Sequence, residues 1–374
     1  MPGDQSSLVS IVRCNRYHLE DLRSHLRELL NPWGGIEFFV KPGAKVLLKP
    51  NLLTGVPPEE AVTTHPLLLH ALSEAVCSAG GKVFIGDGPG RDPLETAAKL
   101  CGIEKVIQET GAVLLPFKEE LTVPLGSGTN SIVPLAGELK QVDLVINVAK
   151  LKTHTLTGLT AAVKNMYGCV VGRAKNRLHF EHPLPLDFAQ VLLDIYLAIK
   201  PGLCIIDAVI AMEGTGPRRG RPRQAGLLLA SPDGIALDCA AAALTGFSTE
   251  QVATLAAARR RGLPGTDPAQ LRIAGIPLED AAIKDFDRGA AADRVTGLLA
   301  RLPVSWLRNL HYRRRPFPRV DSIKCSGCGI CLKHCPPQII RLDRNRAVID
   351  RHRCIRCYCC QELCPRGAVD LFPR

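Results

Sequence analysis

Two stretches near the carboxyl end of the chain, CSGCGICLKHCP at residues 325–336 and CIRCYCCQELCP at residues 354–365, repeat one arrangement of cysteines. Both fit the spacing Cys-x2-Cys-x2-Cys-x3-Cys-Pro, and the only register that fits the second stretch leaves Cys359 outside the pattern. Nine of the 15 cysteines lie between residues 325 and 364, and the other six are scattered singly through the preceding residues. In a chain of 374 residues without a recognisable export signal, this clustering indicates metal binding or catalysis more than disulfide bonds.

The spacing predicts two iron–sulfur clusters. Three thiolates two residues apart can wrap one 4Fe-4S cube, and the fourth, followed by proline, turns away to serve the other cube. The predicted ligand sets are Cys325, Cys328, Cys331 and Cys364 for the first cluster, and Cys354, Cys357, Cys360 and Cys335 for the second. A zinc ribbon is the alternative, but it usually pairs two Cys-x2-Cys knuckles and stops there. For Cys359 we expect a buried small side chain, with a redox or substrate role as the alternative.

Residues 320–372 resemble the bacterial two-cluster ferredoxin. Between the two cysteine stretches, QIIRLDRNRAVID predicts two short strands around a polar turn, and GAVDL after the last cysteine is a candidate partner strand. We therefore predict a small α+β ferredoxin-like domain at residues 320–374. The basic, proline-punctuated run HYRRRPFPR precedes it, and we predict a linker at residues 301–319.

The charge of the chain is concentrated in the same region. The whole chain carries a net charge of +11, and residues 301–374 carry 16 Lys and Arg against five Asp and Glu, so the first 300 residues are neutral overall. This basic excess predicts docking of an acidic, low-potential redox donor or acceptor protein. No recognised nucleic-acid motif accompanies the arginines, and we expect no nucleic-acid partner. No apolar run approaches the length of a transmembrane segment, and a cytoplasmic location is the expectation.

The first 300 residues alternate strand and helix patterns. Short apolar runs such as VSIVRC, KVLLKP, KVFIGD, DLVINV, LCIIDAVI and GLLLAS predict buried strands. Between them, segments of helical period include LEDLRSHLRELL, HPLLLHALSEAVCSAGG and a helix over about 93–109. The pattern predicts an α/β domain at residues 1–300, with an open, mainly parallel, Rossmann-like sheet and flanking helices.

Polar residues follow four of these predicted strands. In open α/β sheets, ligands bind outside the carboxyl ends of the strands, so the four ends together predict one cleft for a small anionic ligand. A helix predicted to begin near Gly158 would add backbone amides and further polar side chains to an anion site. The residues predicted to bind a ligand in this cleft are Asn51, Asp87, Lys150, Asn165 and Glu213.

Three residues are the candidates for catalysis. Lys152 and Lys164 are predicted to neutralise developing negative charge. His154 is the predicted proton donor, because the charge of a histidine changes near neutral pH. The alternative is that the lysines are solvated and that His154 is only the residue at the entry to a helix.

Several other polar residues have a structural and a functional interpretation. The segment TTHP favours His65 as a helix N-cap ahead of Pro66. For His179 and His182 we expect surface positions, although they are close enough in sequence to join the cleft. Asp207 and Asp238 lie in apolar runs, so they are predicted to be buried and either hydrogen-bonded or functional.

Seven segments between residues 8 and 280 resemble the domain of unknown function 362 family. They are VLLKPNLL, TTHP, IGDGPG, NVAKLKTH, GLTAAVKNMYG, IIDAVIAMEGTGP and LLLASPDGIALD. Similar members often carry a ferredoxin-type tail, and the extra cysteine of CYCCQELCP looks like a feature of that tail. The resemblance implies an iron–sulfur protein whose α/β domain has an unsettled activity, and it supplies neither a substrate nor catalytic residues.

The predicted function is electron transfer through the two clusters to a small anionic substrate or cofactor in the α/β cleft. The chain would then be a ferredoxin-dependent oxidoreductase. One alternative is a non-enzymatic electron carrier or subunit that docks on a larger oxidoreductase, and another is a protein that delivers clusters or metal.

Overall fold

The structure is a computed structural model that describes residues 7–126, 132–172, 174–289 and 315–372. Strands of the amino-terminal part are β1 (Leu8–Arg13), β2 (Lys45–Pro50), β3 (Lys82–Ile85), β4 (Val113–Leu114), β5 (Glu120–Pro124), β6 (Ile132–Ala136), β7 (Leu144–His154), β8 (Gly158–Thr160), β9 (Leu203–Glu213), β10 (Arg221–Ser231) and β11 (Arg272–Gly275). Its helices are α1 (Leu19–Leu30), α2 (Pro66–Ser78), α3 (Leu94–Leu100), α4 (Ile103–Thr110), α5 (Ala162–Asn165), α6 (Ala174–Glu181), α7 (Pro185–Ile199), α8 (Gly234–Leu244), α9 (Ala253–Arg260) and α10 (Leu278–Ala281).

Within the described residues, the main sheet has nine strands. Its order is β11-β1-β10-β9-β7-β2-β3-β4, and β8 pairs with β7. The run from β9 through β7, β2 and β3 to β4 is parallel, whereas β10 is antiparallel to both of its neighbours, β9 and β1. The carboxyl ends of β2, β3, β7 and β9 therefore lie on one edge, which confirms the predicted open, mainly parallel α/β sheet.

Helices cover both faces of this sheet. Successive side chains of a strand point to opposite faces, and along β10 Leu227 and Leu229 join one hydrophobic cluster while Leu228 and Ala230 join another. The first cluster includes side chains of α5 to α9, and the second includes side chains of α1 to α4. A sheet buried on both faces explains why its strands read as nearly continuous apolar runs.

The first helix shows how the sequence specifies these elements. Helix α1 buries Leu22, Leu26, Leu29 and Leu30, which lie three or four residues apart on one stripe. Acidic residues occupy its first turn and a basic residue its last turn, which suits the helix dipole. The bounds of α1 coincide with the predicted segment LEDLRSHLRELL.

Two predicted helices differ in the structure. The helix predicted over 93–109 is two helices, α3 and α4, because Gly102 between them has a φ of +77°. The chain predicted to enter a helix near Gly158 instead continues β7 to His154, turns back as β8, and forms the four-residue helix α5. Lys150, Lys152 and His154, which follow the predicted strand DLVINV, therefore lie on β7 itself, where successive side chains point to opposite faces of the sheet.

The carboxyl-terminal part is a small α+β unit, as predicted. Its elements are β12 (Phe317–Val320), α11 (Ile330–Lys333), β13 (Ile340–Asp343), β14 (Arg346–Ile349), α12 (Cys359–Leu363) and β15 (Val369–Phe372). The predicted hairpin of β13 and β14 is present, but β15 pairs with β12, which starts inside the predicted linker. The rest of that linker, residues 301–314, lies outside the described residues. No helix in the described ranges is long and apolar enough to cross a membrane.

Candidate functional site

The cysteines of the first predicted set surround one void. Cys325, Cys328, Cys331 and Cys364 line it together, although Cys364 is distant from the others in sequence. The backbone amide of Ala368 donates to Cys364 Sγ at 3.2 Å, a hydrogen bond of the kind that tunes the sulfur of a cluster ligand. A void ringed by four thiols, with the fourth supplied by the second stretch, fits a 4Fe-4S cube.

The second predicted set is also brought together. Burial raises the pKa of the Cys354 thiol to about 11, and the nearby Cys357 and Cys335 add to the increase. The backbone amide of Arg356 opposes it by donating to Cys354 Sγ at 3.4 Å. Cys335 thus lies beside the second stretch although it ends the first, which is the exchange that the spacing predicts.

The two sets differ in exposure. Cys328 of the first set is exposed, whereas Cys357 and Cys360 of the second set are buried. Cys359 is 5% exposed, and its side chain lines a different cavity from the void of the first set. The first cluster position therefore faces solvent, and the second faces the rest of the protein.

A cavity of about 120 Å³ lies between the α/β part and the ferredoxin-type part, and we call it the inner cavity. It adjoins the carboxyl ends of β2 and β3 and the segment around α5, as the strand-end argument predicts. Its polar lining from the α/β part is Asn51, Asp87, Thr160, Lys164, Asn165, Tyr167, Lys175, Asn176 and His179. Its lining from the ferredoxin-type part is His334, Cys359, Glu362 and Leu363.

A buried ion pair anchors the floor of the inner cavity. Lys49 Nζ lies 2.6 Å from Asp87 Oδ1, and both side chains are buried. The other carboxylate oxygen of Asp87 accepts from the backbone amide of Leu52 at 2.7 Å. A Cβ at Gly168 would collide with both charged side chains, so the close approach of this segment requires glycine.

A chain of amide groups fixes the polar side chains above this pair. Asn51 Nδ2 donates to Asn165 Oδ1 at 3.0 Å, and Asn165 Nδ2 donates to Asn147 Oδ1 at 2.7 Å. Lys152 Nζ donates to Asn51 Oδ1 at 2.8 Å and to the carbonyl of Val62 at 2.6 Å. Burial, with the neighbouring positive charges, lowers the pKa of Lys152 well below its usual range. Lys152 thus acts on the inner cavity through Asn51.

Two lysines face the inner cavity directly. Burial lowers the pKa of Lys164, although Glu362 and Cys359 oppose the shift. Burial lowers the pKa of Lys175 to about 8, with Asp87 opposing. Two amines with depressed pKa values in one cavity form a site that gains from binding an anion.

His154 is held against the ferredoxin-type part. Its Nδ1 accepts the backbone amide of Leu156 at 3.1 Å, so the ring proton is on Nε2, which lies 3.2 Å from Glu362 Oε1. Burial and the charge of Lys164 lower the pKa of His154 to about 4. The expectation that its charge changes near neutral pH is therefore wrong, because the imidazole is buried beside a lysine. Burial opposes ionisation of Glu362, but His154 and Lys164 outweigh it and lower the pKa of this carboxyl to about 2.

The predicted anion site at a helix N-terminus is absent from the described residues around α5. The amides of Ala162 and Val163 donate to the carboxylate of Asp238 at 2.6 and 3.1 Å. A protein side chain thus occupies the position that a ligand anion would take. Burial raises the pKa of Asp238 to about 7, even though the two amides lower it.

Two predicted ligand residues lie away from the inner cavity. Lys150 Nζ lies 3.0 Å from Asp207 Oδ2 and donates to Tyr17 Oη at 2.8 Å. Glu213 Oε1 pairs with Arg221 at 2.7 Å. Lys150 lies within β7 and Glu213 ends β9, and the structure does not bring either side chain to the inner cavity.

Of the histidines predicted to have structural positions, one has the expected position and another lines the inner cavity. His65 is the N-cap of α2 and accepts the amide of Leu67, as predicted. His179 is buried, stacks on Phe188 at 4.2 Å and lines the inner cavity, contrary to the expected surface position. Its Nδ1 and Thr160 Oγ1 are buried without a hydrogen-bond partner in the described part of the chain. Glu362 Oε1 likewise has no hydrogen-bond partner in the described residues. Three such polar atoms in the lining of one cavity indicate a site that a polar ligand completes.

Sequence reasoning missed Tyr167, Lys175 and Glu362 as members of this site. Lys175 follows a segment with no strand-end signal, and Glu362 belongs to a cysteine-rich stretch interpreted only for metal binding. The one available signal was CYCCQELCP itself, in which Cys359 and Glu362 lie outside the ligand spacing and belong to the same helix, α12, as the predicted ligand Cys360.

Comparison with known proteins shows which family the α/β part of the chain matches. The model of the domain of unknown function family (DUF362) matches residues 46–243. A thylakoid-associated protein of Synechocystis sp. is 38% identical over 259 residues, which is 69% of this chain and 80% of that protein. The chain belongs to the DUF362 family. The resemblance drawn from the seven sequence segments is thereby confirmed.

The carboxyl-terminal part of this DUF362 protein matches a second family. The model of a 4Fe-4S dicluster domain matches residues 324–368. One component of the ion-translocating oxidoreductase complex of Methanosarcina acetivorans is 34% identical over 61 residues, which is 16% of this chain and 23% of that protein. The chain is therefore an iron–sulfur protein with a ferredoxin-type segment, whereas the number of two clusters stays a prediction.

Among solved structures, the lactate racemase apoprotein from Thermoanaerobacterium thermosaccharolyticum aligns with a TM-score of 0.40 at 16% identity. The alignment covers 64% of this chain and 57% of that chain.

Proposed function

We propose that this DUF362 protein passes electrons from an acidic redox partner, through two 4Fe-4S clusters, to a small anionic substrate in the inner cavity. The observation that carries the proposal is the composition of that cavity. Cys359 and Glu362, from the same short helix as the second-set ligand Cys360, line the cavity together with Lys164 and His179 from the α/β part. A cavity with basic groups on one side and a cluster-bearing helix on the other suits reduction of an anion.

The exposure of the cysteines supports a direction of transfer. The first set contains the exposed Cys328, and Ile323, two residues before Cys325, is 91% exposed. An exposed apolar side chain in a part of the chain with a net positive charge suits an acidic partner protein. The second set is buried on the side of the inner cavity. Electrons would therefore enter at the first cluster and leave from the second.

The residues of the inner cavity would bind and orient the substrate. Lys164 and Lys175 supply the positive charge, and Asn51 is locked by Lys152 so that its amide presents a fixed polar face. His154 Nε2 lies 3.2 Å from Glu362 Oε1, so His154 places a neutral imidazole beside that carboxylate. The clusters, when bound, supply one-electron transfer.

Anion binding tests this proposal. Protein purified without oxygen, with its iron–sulfur clusters in place, is titrated calorimetrically with phosphate, oxalate and pyruvate. We expect at least one of these anions to bind, and Lys164→Gln to weaken it about 10-fold or more, because a charged hydrogen bond is lost. Lys99→Gln is the matched control, since Lys99 is exposed on α3 and does not line the inner cavity.

Absence of binding by all three anions would overturn the proposal, as would equal affinity in Lys164→Gln. The protein would then be better described as an electron carrier that docks on a larger oxidoreductase. That function is favoured by the match of the cysteine-rich segment to a component of an ion-translocating oxidoreductase complex.

A further inference from the structure

The inner cavity adjoins a larger chamber of about 610 Å³, which we call the outer chamber. Residues that line both are Asp87, Gly88, Gly90, Lys175, Asn176 and His334. The outer chamber is also bounded by residues 116–118 after β4, residues 170–172 after α5, and residues 333–338 of the ferredoxin-type segment. Both parts of the chain therefore enclose both spaces.

The sizes of the two spaces set different limits on a ligand. Pockets that hold organic ligands typically measure about 300–1,000 Å³. The inner cavity, at about 120 Å³, is below that range and accommodates only a small charged group. The outer chamber lies inside the range and can hold a body of ring size.

The chemistry of the outer chamber differs from that of the inner cavity. Its walls include the apolar side chains of Leu94, Pro116, Phe117, Val170 and Val171. Lys118 and Lys333 lie at its exposed margin, one from each part of the chain. The wall therefore combines these apolar side chains with polar groups, and its exposed rim carries Lys118 and Lys333 beside Glu95. Such a wall favours an organic anion over an inorganic one, because the apolar body is removed from water while the charged head stays close to lysines.

We propose that the two spaces form one continuous site and that its substrate is an organic anion with a ring-sized apolar body. This inference rests on the proposed function, since it names the substrate class of the same site. The charged head lies in the inner cavity against Lys164, and the body extends past Lys175 into the outer chamber. Cys335, a predicted ligand of the second cluster, lines the outer chamber, and Cys359, the neighbour of the predicted ligand Cys360, lines the inner cavity. Both spaces therefore border the residues that would hold the second cluster.

Two matched pairs of anions test this inference on the cluster-loaded protein. Each pair has the same charged head and differs by an aromatic body: phosphate with 1-naphthyl phosphate, and pyruvate with phenylpyruvate. We expect the aromatic member of at least one pair to bind about 10-fold more tightly than its parent, because it buries apolar surface. Lys164→Gln should weaken both members of that pair.

A substitution distinguishes what the outer chamber and the inner cavity each contribute to anion binding. Phe117→Ala should remove most of the preference for the aromatic anion and leave the affinity for the parent anion unchanged, because Phe117 lines only the outer chamber. The matched control is Phe38→Ala, since Phe38 is 52% exposed and lines neither space.

The outcomes distinguish this inference from the proposed function. If the parent anions bind and neither aromatic anion binds more tightly, the inference is overturned and the proposed function stands. If an aromatic preference persists unchanged in Phe117→Ala, the outer chamber is the wrong place for the body and the inference is likewise overturned. If neither parents nor aromatic anions bind, the proposed function fails and the inference fails with it.

Discussion

Replacing Lys49 by methionine tests how much the buried ion pair of Lys49 and Asp87 contributes to the stability of the protein. Lys49 is fully buried, and its ammonium is the partner of the buried carboxylate of Asp87 at 2.6 Å. Lys49→Met keeps the length of the side chain but leaves that carboxylate without a countercharge, which costs about 3–5 kcal/mol in buried pairs. Asp87 retains the amides of Leu52 and Gly88 as donors, so we expect the lower end, about 3 kcal/mol.

Thermal unfolding followed by circular dichroism without oxygen measures this loss. At about 2–4 °C per kcal/mol, Lys49→Met should lower the midpoint by roughly 6 °C or more. In the double variant with Asp87→Asn the loss should be smaller than the sum of the two single losses, because no unpaired charge remains. Lys105→Met is the matched control: Lys105 is 77% exposed and lies 3.5 Å from Glu109, a surface pair worth about 0–1 kcal/mol. A loss in Lys49→Met no greater than in this control, or additive losses in the double variant, would refute the reasoning.

Three further predictions concern other parts of the structure. Asp238→Ala should lower the free energy of unfolding by about 3 kcal/mol, because it leaves two buried backbone amides without an acceptor. A loss below about 1 kcal/mol in thermal unfolding would contradict this. The neutral, buried His154, with a pKa of about 4, must be protonated on unfolding below about pH 6.5, so stability should fall by about 2 kcal/mol on its account between about pH 7.5 and 5. His154→Gln should flatten the measured pH profile by that amount, while His352→Gln, at an exposed position, should leave it unchanged. Cys359→Ala should retain the wild-type iron content and Cys360→Ala should lose iron, and equal iron loss in both would refute the assigned register.

Much of the fold was predictable because its signals are local. The four leucines of α1 recur at helical spacing, and the buried strands appear as apolar runs, so their positions follow from the sequence. The extension of β7 to His154 was not predictable in this way. Lys150 and Lys152 look like loop residues, yet each is buried because residues distant in the sequence supply its acceptors, Asp207 for the former and Asn51 for the latter.

The candidate site was predictable only in part, because several of its residues come together through contacts between segments that are distant in the sequence. The strand-end argument located Asn51 and Asp87, since the carboxyl ends of parallel strands meet at one edge. It could not locate Glu362, because that residue reaches the cavity through the packing of one part of the chain against the other. It also placed Glu213 in the cleft. The strand of Glu213 ends on the same edge, but its carboxylate forms an ion pair with Arg221.

The most direct test of the account is a dithionite titration of the anaerobically purified protein, followed by EPR, with iron and sulfide counted on the same sample. The account predicts about eight irons per chain, in keeping with two 4Fe-4S clusters, two interacting reducible signals, and a change in the spectrum of one cluster when a bound anion fills the inner cavity. That change should be absent in Lys164→Gln. About four irons per chain, or clusters that dithionite does not reduce, would contradict electron transfer through two clusters to the cavity.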